Sequence, residues 1–345
     1  MSHATPQDAH ACSRRQMLKA AAVTLGATLA PVSLAGTAER SAPTPHHLPS
    51  GKVDHQQASL MQIGILLKTF SRPNLEAYFD AAKSYGLDCV QLEMECAGLA
   101  PMPDAIAPEL AARIRRTAAE RKMTIAAVQG TFNMCHPDPA HRAAGLRGLR
   151  VLAAACPQMG TSKIHICTGT RSRINMWMRH PDNDSPAAWR DMSACIREAV
   201  AIAEPFGVVL AFEPEVNNVV NSAQKARRLL DEIRSPHLKV TMDAANLFHA
   251  GQLPHMREVL DEAFALLSQD IVLAHAKDLN HDGDAGHLPA GHGKLDYDRY
   301  LTLLHGCGFK GPLLLHGLSE SQVPGCVAFL REKLARLARA ETPSP

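Results

Sequence analysis

The chain has 345 residues, of which 46% are hydrophobic and 20% charged, so it can bury the core of one catalytic-size domain. A formal net charge of +2 without a dense basic stripe gives no reason to expect a nucleic-acid ligand. Its 18 histidines are many for this length and favour a metal site.

The amino terminus carries the features of a transport signal. An Arg14-Arg15 pair precedes an alanine-rich apolar stretch from Ala20 to Ala30, and Ser33-Leu34-Ala35 forms a small-x-Ala cleavage site. The segment resembles a twin-arginine export signal, with Met17 where that pattern usually has Phe. We therefore expect a signal peptide over residues 1–35 and a periplasmic protein. The alternative is a chance Arg-Arg pair before a short hydrophobic anchor.

Residues 36–60 predict a flexible leader between this signal and the folded domain, because Pro43, Pro45 and Pro49 lie among Ser, His and Gln residues. The apolar stretch of the signal is short and rich in alanine, which makes it a poor membrane span. We therefore expect no stable span in the mature protein. The sequence is compatible with a homo-oligomer and does not specify the number of subunits.

The cysteines favour buried thiols. Of nine cysteines, Cys12 falls in the signal and eight follow it. These eight contain no C-x-x-C pair, and several lie inside apolar runs. Disulfides remain the alternative, since an exported protein permits them.

The sequence of residues 61–340 predicts a strict alternation of eight strands and eight helices, with no internal repeat and no second domain. The predicted strands are 61–67, 89–94, 124–129, 162–167, 208–213, 239–243, 271–275 and 312–316. The predicted helices are 73–85, 107–122, 139–155, 185–206, 222–233, 254–267, 296–307 and 323–340. Such repeated strand-helix units predict the α/β class and a single (β/α)8 TIM barrel.

Each of the last four predicted strands ends in a side chain that can bind a metal ion. These are Glu213, Asp243, His275 and His316. One such residue at a strand end is more often a cap or a hydrogen-bonded group. Four in succession at one barrel mouth favour a single divalent ion, because an unpaired buried charge is costly and an ion removes that cost. Mixed oxygen and nitrogen ligands suit Mn, Zn, Co, Mg or Fe.

Further polar residues are expected around the same mouth. Glu93 is placed near the end of the second strand, and its alternative role is a salt bridge in the barrel rim. His165 and Lys277 face the interior if the strand register holds, which makes His165 a candidate for binding the substrate. Lys277 can polarise a substrate oxygen, or simply pair with Asp278 or Glu215.

Two loops are candidates for substrate contacts. Asn246 and His249 follow Asp243 and can bind hydroxyl groups, although His249 can equally be an ordinary loop residue. The long loop 169–183 carries Trp177 and is a candidate lid or a surface insertion.

Four motifs carry a family resemblance. They are Phe212-Glu213-Pro214-Glu215, Met242-Asp243-Ala244-Ala245-Asn246-Leu247-Phe248, Ala274-His275-Ala276-Lys277-Asp278 and Gly291-His292-Gly293-Lys294-Leu295-Asp296. As an ordered set they resemble the xylose-isomerase-like TIM barrels, the sugar isomerase/epimerase superfamily, over about residues 61–335. The resemblance implies one divalent ion bound by Glu213, Asp243 and His275, and a sugar or polyol derivative as substrate.

The sequence departs from this family at the last strand, where His316 stands in place of the usual Glu. Epimerases of the family use the glutamates of strands five and eight on opposite faces of the substrate, around a metal-stabilised enediolate. A metal-bound imidazole is a poor base. Glu213 therefore remains the candidate base, and Glu93, Glu215 or Glu320 is the candidate for the second proton.

The first functional hypothesis is thus a metal-dependent isomerase or epimerase that transfers a proton next to a carbonyl. An exported lyase or hydrolase acting on keto-sugar glycosides at the same metal site is the alternative. A sugar-binding barrel without catalytic activity is a third, because His316 removes the usual second base.

The endonuclease IV branch of the superfamily is not supported. Its pattern around His287 needs an Asp where Ala285 stands, and a His where Asn246 stands. We therefore expect no nucleic-acid substrate.

Overall fold

A computed structural model describes residues 61–340. The predicted signal peptide, residues 1–35, and the predicted leader, residues 36–60, lie outside this range. None of the helices described for residues 61–340 has the length and apolar character that a membrane span requires.

Strands and helices alternate along the described chain. The strands are β1 (Gln62–Leu66), β2 (Cys89–Leu92), β3 (Thr124–Gln129), β4 (Lys163–Cys167), β5 (Val209–Glu213), β6 (Leu238–Asp243), β7 (Ile271–Asp278), β8 (Leu288–Pro289) and β9 (Pro312–Leu315). The helices are α1 (Leu75–Ser84), α2 (Pro108–Glu120), α3 (Pro139–Met159), α4 (Pro186–Ala203), α5 (Ala223–Ile233), α6 (Met256–Leu267), α7 (Tyr297–Gly306) and α8 (Val323–Ala340).

Eight of these strands form a closed parallel barrel. Hydrogen bonds join β1 to β6 in sequence order, β9 pairs with both β1 and β7, and the β6–β7 pairing closes the ring. The short β8 pairs antiparallel with the end of β7, outside the ring. The predicted (β/α)8 TIM barrel is confirmed.

The largest differences from the sequence-based boundaries fall at three places. Strand β7 runs to Asp278 rather than ending at His275, because its last residues pair with β8. Helix α3 continues to Met159, where buried apolar packing holds the last turn and Gly160 ends it at a φ of +84°. Helix α4 ends at Ala203 and a 3-10 turn follows, since Pro205 has no N–H for a further helical hydrogen bond.

Inside the barrel, a layer of apolar side chains lies below a layer of polar side chains. Ala211, Leu273 and Leu314 belong to a small buried cluster that is separate from the main core between strands and helices. Side chains alternate along a strand, so Glu213 and His275, two positions further along, project from the same face. The polar groups are therefore carried to the carboxyl ends of the strands, where TIM barrels hold their active sites.

Asp278 explains the glycine-rich motif that follows β7. Its Oδ2 accepts hydrogen bonds from Gly291 N at 3.1 Å and Gly293 N at 3.0 Å, and its Oδ1 accepts one from Leu295 N at 2.9 Å. A Cβ atom at Gly293 would lie 2.3 Å from Asp278 Oδ1, so only glycine fits. This motif is a structural turn that closes the loop between β7 and α7.

Candidate active site

Side chains from four successive barrel strands converge at the carboxyl end of the barrel. His275 Nδ1 lies 3.2 Å from Glu213 Oε2 and 3.6 Å from Asp243 Oδ2. His316 Nδ1 lies 3.9 Å from Asp243 Oδ2. Asp243 and His275 stand opposite each other in the β6–β7 register. The four predicted metal ligands are therefore brought together.

His165 joins the same group, although the sequence suggested only a substrate contact for it. Its Nε2 lies 3.5 Å from Glu213 Oε2, and its ring centroid is 5.0 Å from that of His275. The register of β4 and β5 sets Cys167 opposite Glu213, so His165 lies one layer deeper in the barrel. We call these five residues the ligand cluster: His165, Glu213, Asp243, His275 and His316.

The chemistry of the ligand cluster fits a divalent cation. Asp243 Oδ2, His275 Nδ1 and His316 Nδ1 are buried and make no hydrogen bond of good geometry, although groups able to carry the opposite charge lie 3.2–3.9 Å from them. Buried polar atoms without a well-formed hydrogen bond cost free energy that a bound ion would recover. One ligand atom from each of these residues lies within 4.8 Å of the others, and so do those of His165, Glu213 and His275. Carboxylate oxygens and imidazole nitrogens are the donors that Zn, Mn, Co and Fe accept.

A glutamine on β2 fixes the ring of His275. Gln91 Nε2 donates to Gln129 Oε1, which turns Gln91 Oε1 toward His275 Nε2 at 3.2 Å. Because Gln91 Oε1 can only accept, His275 Nε2 carries a proton and donates it. Nδ1 is then the nitrogen that faces Glu213 and Asp243, and it is the one available to an ion.

A threonine on β6 fixes the ring of His165 in the same way. Thr241 Oγ1 donates to Ala211 O at 3.3 Å, so it accepts from His165 Nδ1 at 3.0 Å. The proton of the neutral ring is therefore on Nδ1. His165 Nε2 presents its lone pair on the side of Glu213.

Asn246 orients the carboxylate of Glu213. Its Nδ2 donates to Glu213 Oε1, while its Oδ1 accepts from Gly286 N at 2.8 Å. Glu213 Oε2 is thereby left facing His275. The sequence predicted a substrate contact for Asn246; the residue does border the cavity, and its amide positions a ligand residue.

Charges in the ligand cluster compensate one another. Burial raises the pKa of Asp243, but Lys277 and His275 outweigh it and hold that pKa well below its usual value. Burial also raises the pKa of Glu213, yet His275 lowers it to about 2. Lys277 Nζ lies 3.3 Å from Asp243 Oδ2. Burial lowers the pKa of Lys277, and Asp243 and the nearby glutamates more than reverse this. Lys277 therefore pairs with Asp243, not with Asp278.

The two deep histidines have opposite protonation tendencies. Burial, together with the neighbouring His275, lowers the pKa of His165 to about 3. Burial opposes charge on His275 as well, but Asp243 and Glu213 outweigh it and raise its pKa to about 9. In the metal-free protein one imidazole is thus neutral and the other is a cation held between two carboxylates.

A cavity of about 360 Å³ opens above the ligand cluster. Besides cluster residues, its walls include Lys277, Glu215, Asn217, Asp284 and Trp177. Glu215 is only 5% exposed, and its Oε2 accepts a hydrogen bond from Asn218 Nδ2 at 3.0 Å. Burial and the charge of Glu213 raise the pKa of Glu215 to about 8. Burial therefore favours the protonated form of this carboxyl, next to one whose pKa is lowered.

The model of the family described as "Xylose isomerase-like TIM barrel" matches residues 79–336. The chain belongs to this family. Among curated proteins it is 26% identical over 190 residues to L-ribulose-5-phosphate 3-epimerase UlaE of Shigella flexneri serotype 5b (strain 8401). That match covers 55% of this chain and 62% of the relative, so it spans less than two thirds of the relative's length.

Solved structures share the fold of this protein at low sequence identity. A D-tagatose 3-epimerase-like protein superposes with a TM-score of 0.66 at 14% identity, covering 82% of this chain and 100% of the other. The IOLI protein with a binding zinc atom gives a TM-score of 0.60 at 15% identity, covering 82% and 100%. At these identities the likeness supports the fold and no detail of the site.

Three residues that the sequence predicted near the active site of this protein are not brought to the cavity. Glu93 Oε2 accepts from Lys68 N at 3.1 Å, and burial raises its pKa to about 7. His249 Nε2 lies 2.8 Å from Asn221 O and borders a different, small cavity. Glu320 is engaged by Arg72 and Tyr85. Of the three candidates for the second proton, only Glu215 borders the cavity.

Sequence reasoning missed the residues that orient the histidines, and the cavity positions of Asn217 and Asp284. A signal existed for two of them. Gln91 is a polar residue inside the buried apolar strand β2. Thr241 lies two residues before Asp243 and so on the same strand face.

Proposed function

We propose that this protein is a metal-dependent sugar isomerase or epimerase that moves a proton at the carbon next to a carbonyl. The observation that carries the proposal is the convergence of Asp243, His275 and His316 with Glu213 at the base of a polar cavity, where buried atoms of the first three make no hydrogen bond of good geometry. The sugar epimerases among its relatives support the substrate class.

The bound ion would supply an electrophile that polarises the carbonyl and neighbouring hydroxyl oxygens of a keto sugar. The chain supplies the rest. Glu213 is ionised at neutral pH, so it can accept a proton from the carbon next to the carbonyl. Burial and the charge of Glu213 raise the pKa of Glu215 to about 8, which favours its protonated form, so it can deliver a proton to the substrate. Lys277 places a buried cation beside Asp243, where it can donate to a substrate oxygen.

Solvent exchange tests this proposal. Protein stripped with a chelator is reloaded with Mn²⁺, Zn²⁺, Co²⁺, Mg²⁺ or Fe²⁺, its ion content is measured, and it is incubated with D-tagatose or L-ribulose in D₂O. We expect deuterium at the carbon next to the carbonyl only in ion-loaded samples. Glu213→Gln should lower the exchange rate by orders of magnitude. His249→Ala is the matched control, since His249 borders another cavity.

Incubation with a keto-sugar glycoside and a measurement of ketose affinity, added to this experiment, separate the alternatives, which stay predictions. A lyase or hydrolase for keto-sugar glycosides would release an aglycone from a glycoside. An inactive sugar-binding barrel would show no exchange, and Glu213→Gln would change only its affinity. A metal-loaded protein that exchanges neither ketose contradicts the proposal for these substrates.

We also propose that the enzyme is exported to the periplasm by the twin-arginine pathway. The support is the sequence of residues 1–35 alone. Replacing Arg14 and Arg15 by lysine should retain the protein in the cytoplasm, as cell fractionation would show. Equal periplasmic amounts of both forms would contradict export by this pathway.

A further inference from the structure

We propose that the substrate is an uncharged sugar carrying an apolar substituent, and that Trp177 binds this substituent at the exposed side of the cavity. The inference rests on the proposed function and narrows its substrate class. It combines the exposure of one indole, the charges of the cavity walls and the size of the cavity.

Trp177 is a large apolar side chain left open to water on the wall of the active-site cavity. It is 45% exposed, whereas the cavity floor is formed by buried residues such as His165 and His275. An exposed indole gains free energy when an apolar group covers it, and aromatic rings stack on it with further gain. A ligand that reaches from the ligand cluster to the solvent side of the cavity meets this indole.

The loop that carries Trp177 is built by its own hydrogen bonds. Asn175 Oδ1 accepts from Trp177 N at 2.9 Å, and Thr170 Oγ1 donates to Met178 O at 2.9 Å. Ser172 Oγ accepts from Ile174 N at 3.2 Å. These contacts hold the backbone on both sides of Trp177, so its position beside the cavity is a property of the fold.

The cavity walls disfavour an anionic substituent. Asp284 contributes a carboxylate, while the one lysine on the walls, Lys277, lies against Asp243. Phosphate groups in proteins are usually held by arginine, lysine or a helix N-terminus. Among residues 61–340 no arginine borders this cavity. The arginines of the loop border a separate depression instead: Arg171, Arg173 and Arg179.

The cavity also has room for more than one sugar ring. Its volume of about 360 Å³ falls in the range of roughly 300–1,000 Å³ that encloses drug-sized ligands. Trp177 lines the same cavity as His165, Glu213, His275 and His316, so a ligand that is seated on the ligand cluster and extends along the cavity can contact its indole. A sugar with an aryl or alkyl group at its far end would fill the cavity up to the indole.

Three matched derivatives of D-tagatose test the inference on the metal-loaded protein. They carry a benzyl ether, a methyl ether or a phosphate at the terminal hydroxyl, and their affinities are measured by calorimetry. We expect the benzyl ether to bind about tenfold more tightly than the methyl ether, since stacking on an indole contributes about that much. The phosphate should bind more weakly than either.

Variants assign the preference to the indole. Trp177→Ala should reduce the benzyl-to-methyl ratio to near one, and Trp177→Phe should retain most of it. Met178→Ala is the control, because Met178 is exposed on the same loop and borders the separate depression. This variant should leave the ratio unchanged.

Three outcomes overturn the inference: tightest binding of the phosphate, equal or undetectable binding of both ethers, or an equal loss of both ethers in Trp177→Ala. The last result would mean that the indole packs on the sugar ring itself. Failure of this inference can be distinguished from failure of the proposed function. If only this inference fails, ion binding and exchange of the unsubstituted ketose persist. If the proposed function fails, both are absent.

Discussion

Gln91 on β2 and His275 on β7 contact each other across the inside of the barrel, with 3.2 Å between Oε1 and Nε2. The two strands are not neighbours in the sheet, since β2 pairs with β1 and β3. The contact therefore links two strands that lie three positions apart around the barrel. It also decides which nitrogen of His275 faces the carboxylates of Glu213 and Asp243.

Replacing this glutamine should weaken metal binding without touching a ligand. Gln91→Met keeps the volume but removes the acceptor, so His275 can rotate and its Nε2 proton is left unpaired. We expect metal affinity to fall about 10–100-fold, as measured by competition with a chelator. Gln62→Met is the control, because Gln62 is exposed on β1. Unchanged affinity in Gln91→Met would mean that this hydrogen bond does not orient the ligand.

At the opposite end of the barrel, Asp270 contributes to stability and not to chemistry. It precedes β7 and accepts from Lys239 Nζ at 2.5 Å and from Arg227 Nη1 at 2.8 Å. Burial raises the pKa of Asp270, but these two cations outweigh it and lower the pKa below its value of 3.8 in the unfolded chain. Its contribution is therefore present above about pH 4 and is lost as the pH falls through the folded-state pKa.

The corresponding variant is Asp270→Asn. We expect a loss of about 1 kcal/mol in the free energy of unfolding at pH 7, measured by urea denaturation, and a shrinking difference below pH 4. Metal content should not change. Asp231→Asn is the control, because Asp231 is an exposed partner of the same Arg227. A difference that persisted at low pH would show that the effect is not ionic.

Cysteine accessibility provides an independent check of the fold. The eight cysteines between Cys89 and Cys326 are free thiols, and all but Cys307 are buried. Burial raises the pKa of Cys135 and of Cys326 to about 11, which suppresses the reactive thiolate. In protein lacking residues 1–35, a thiol reagent should modify Cys307 in the native state and all eight cysteines after unfolding without reductant. Fewer reactive thiols after unfolding would reveal disulfides.

The convergence of the candidate ligands was predictable because strand periodicity fixes it. Glu213, Asp243 and His275 each end an apolar run, and parallel strands deliver such ends to one mouth regardless of loop conformation. His165 was harder to assign. It lies in the middle of β4, and only the register with β5 shows that its Nε2 reaches Glu213.

Residues beyond the strand ends were not predictable, since the local path of the chain decides them. Strand β2 ends at Leu92 and a 3-10 turn begins at Met94, so the side chain of Glu93 bonds to the backbone of Lys68. The 3.6- and 2-residue periodicities carry no information on such a turn. The same holds for Trp177, whose place beside the cavity depends on hydrogen bonds within its loop.

His316 offers the most direct test of how this chain differs from the family pattern. Its Nδ1 is buried without a hydrogen-bond partner, and its ring centroid lies 5.1 Å from that of His275. If His316 is a ligand, His316→Ala should lower metal affinity more than tenfold, because even residues that only hydrogen-bond to metal ligands contribute that much. His316→Glu should keep the ion, since a carboxylate is an equally suitable donor at this position.

Thermal unfolding with and without added ion separates these variants, because an ion that binds only the folded chain raises the melting temperature as affinity and concentration increase. The ion-dependent rise should be large in the wild-type protein and in His316→Glu, and small in His316→Ala. His249→Ala should behave as wild type. A full rise in His316→Ala would mean that the remaining ligands, Glu213, Asp243 and His275, hold the ion unaided, and that the imidazole of His316 faces the substrate.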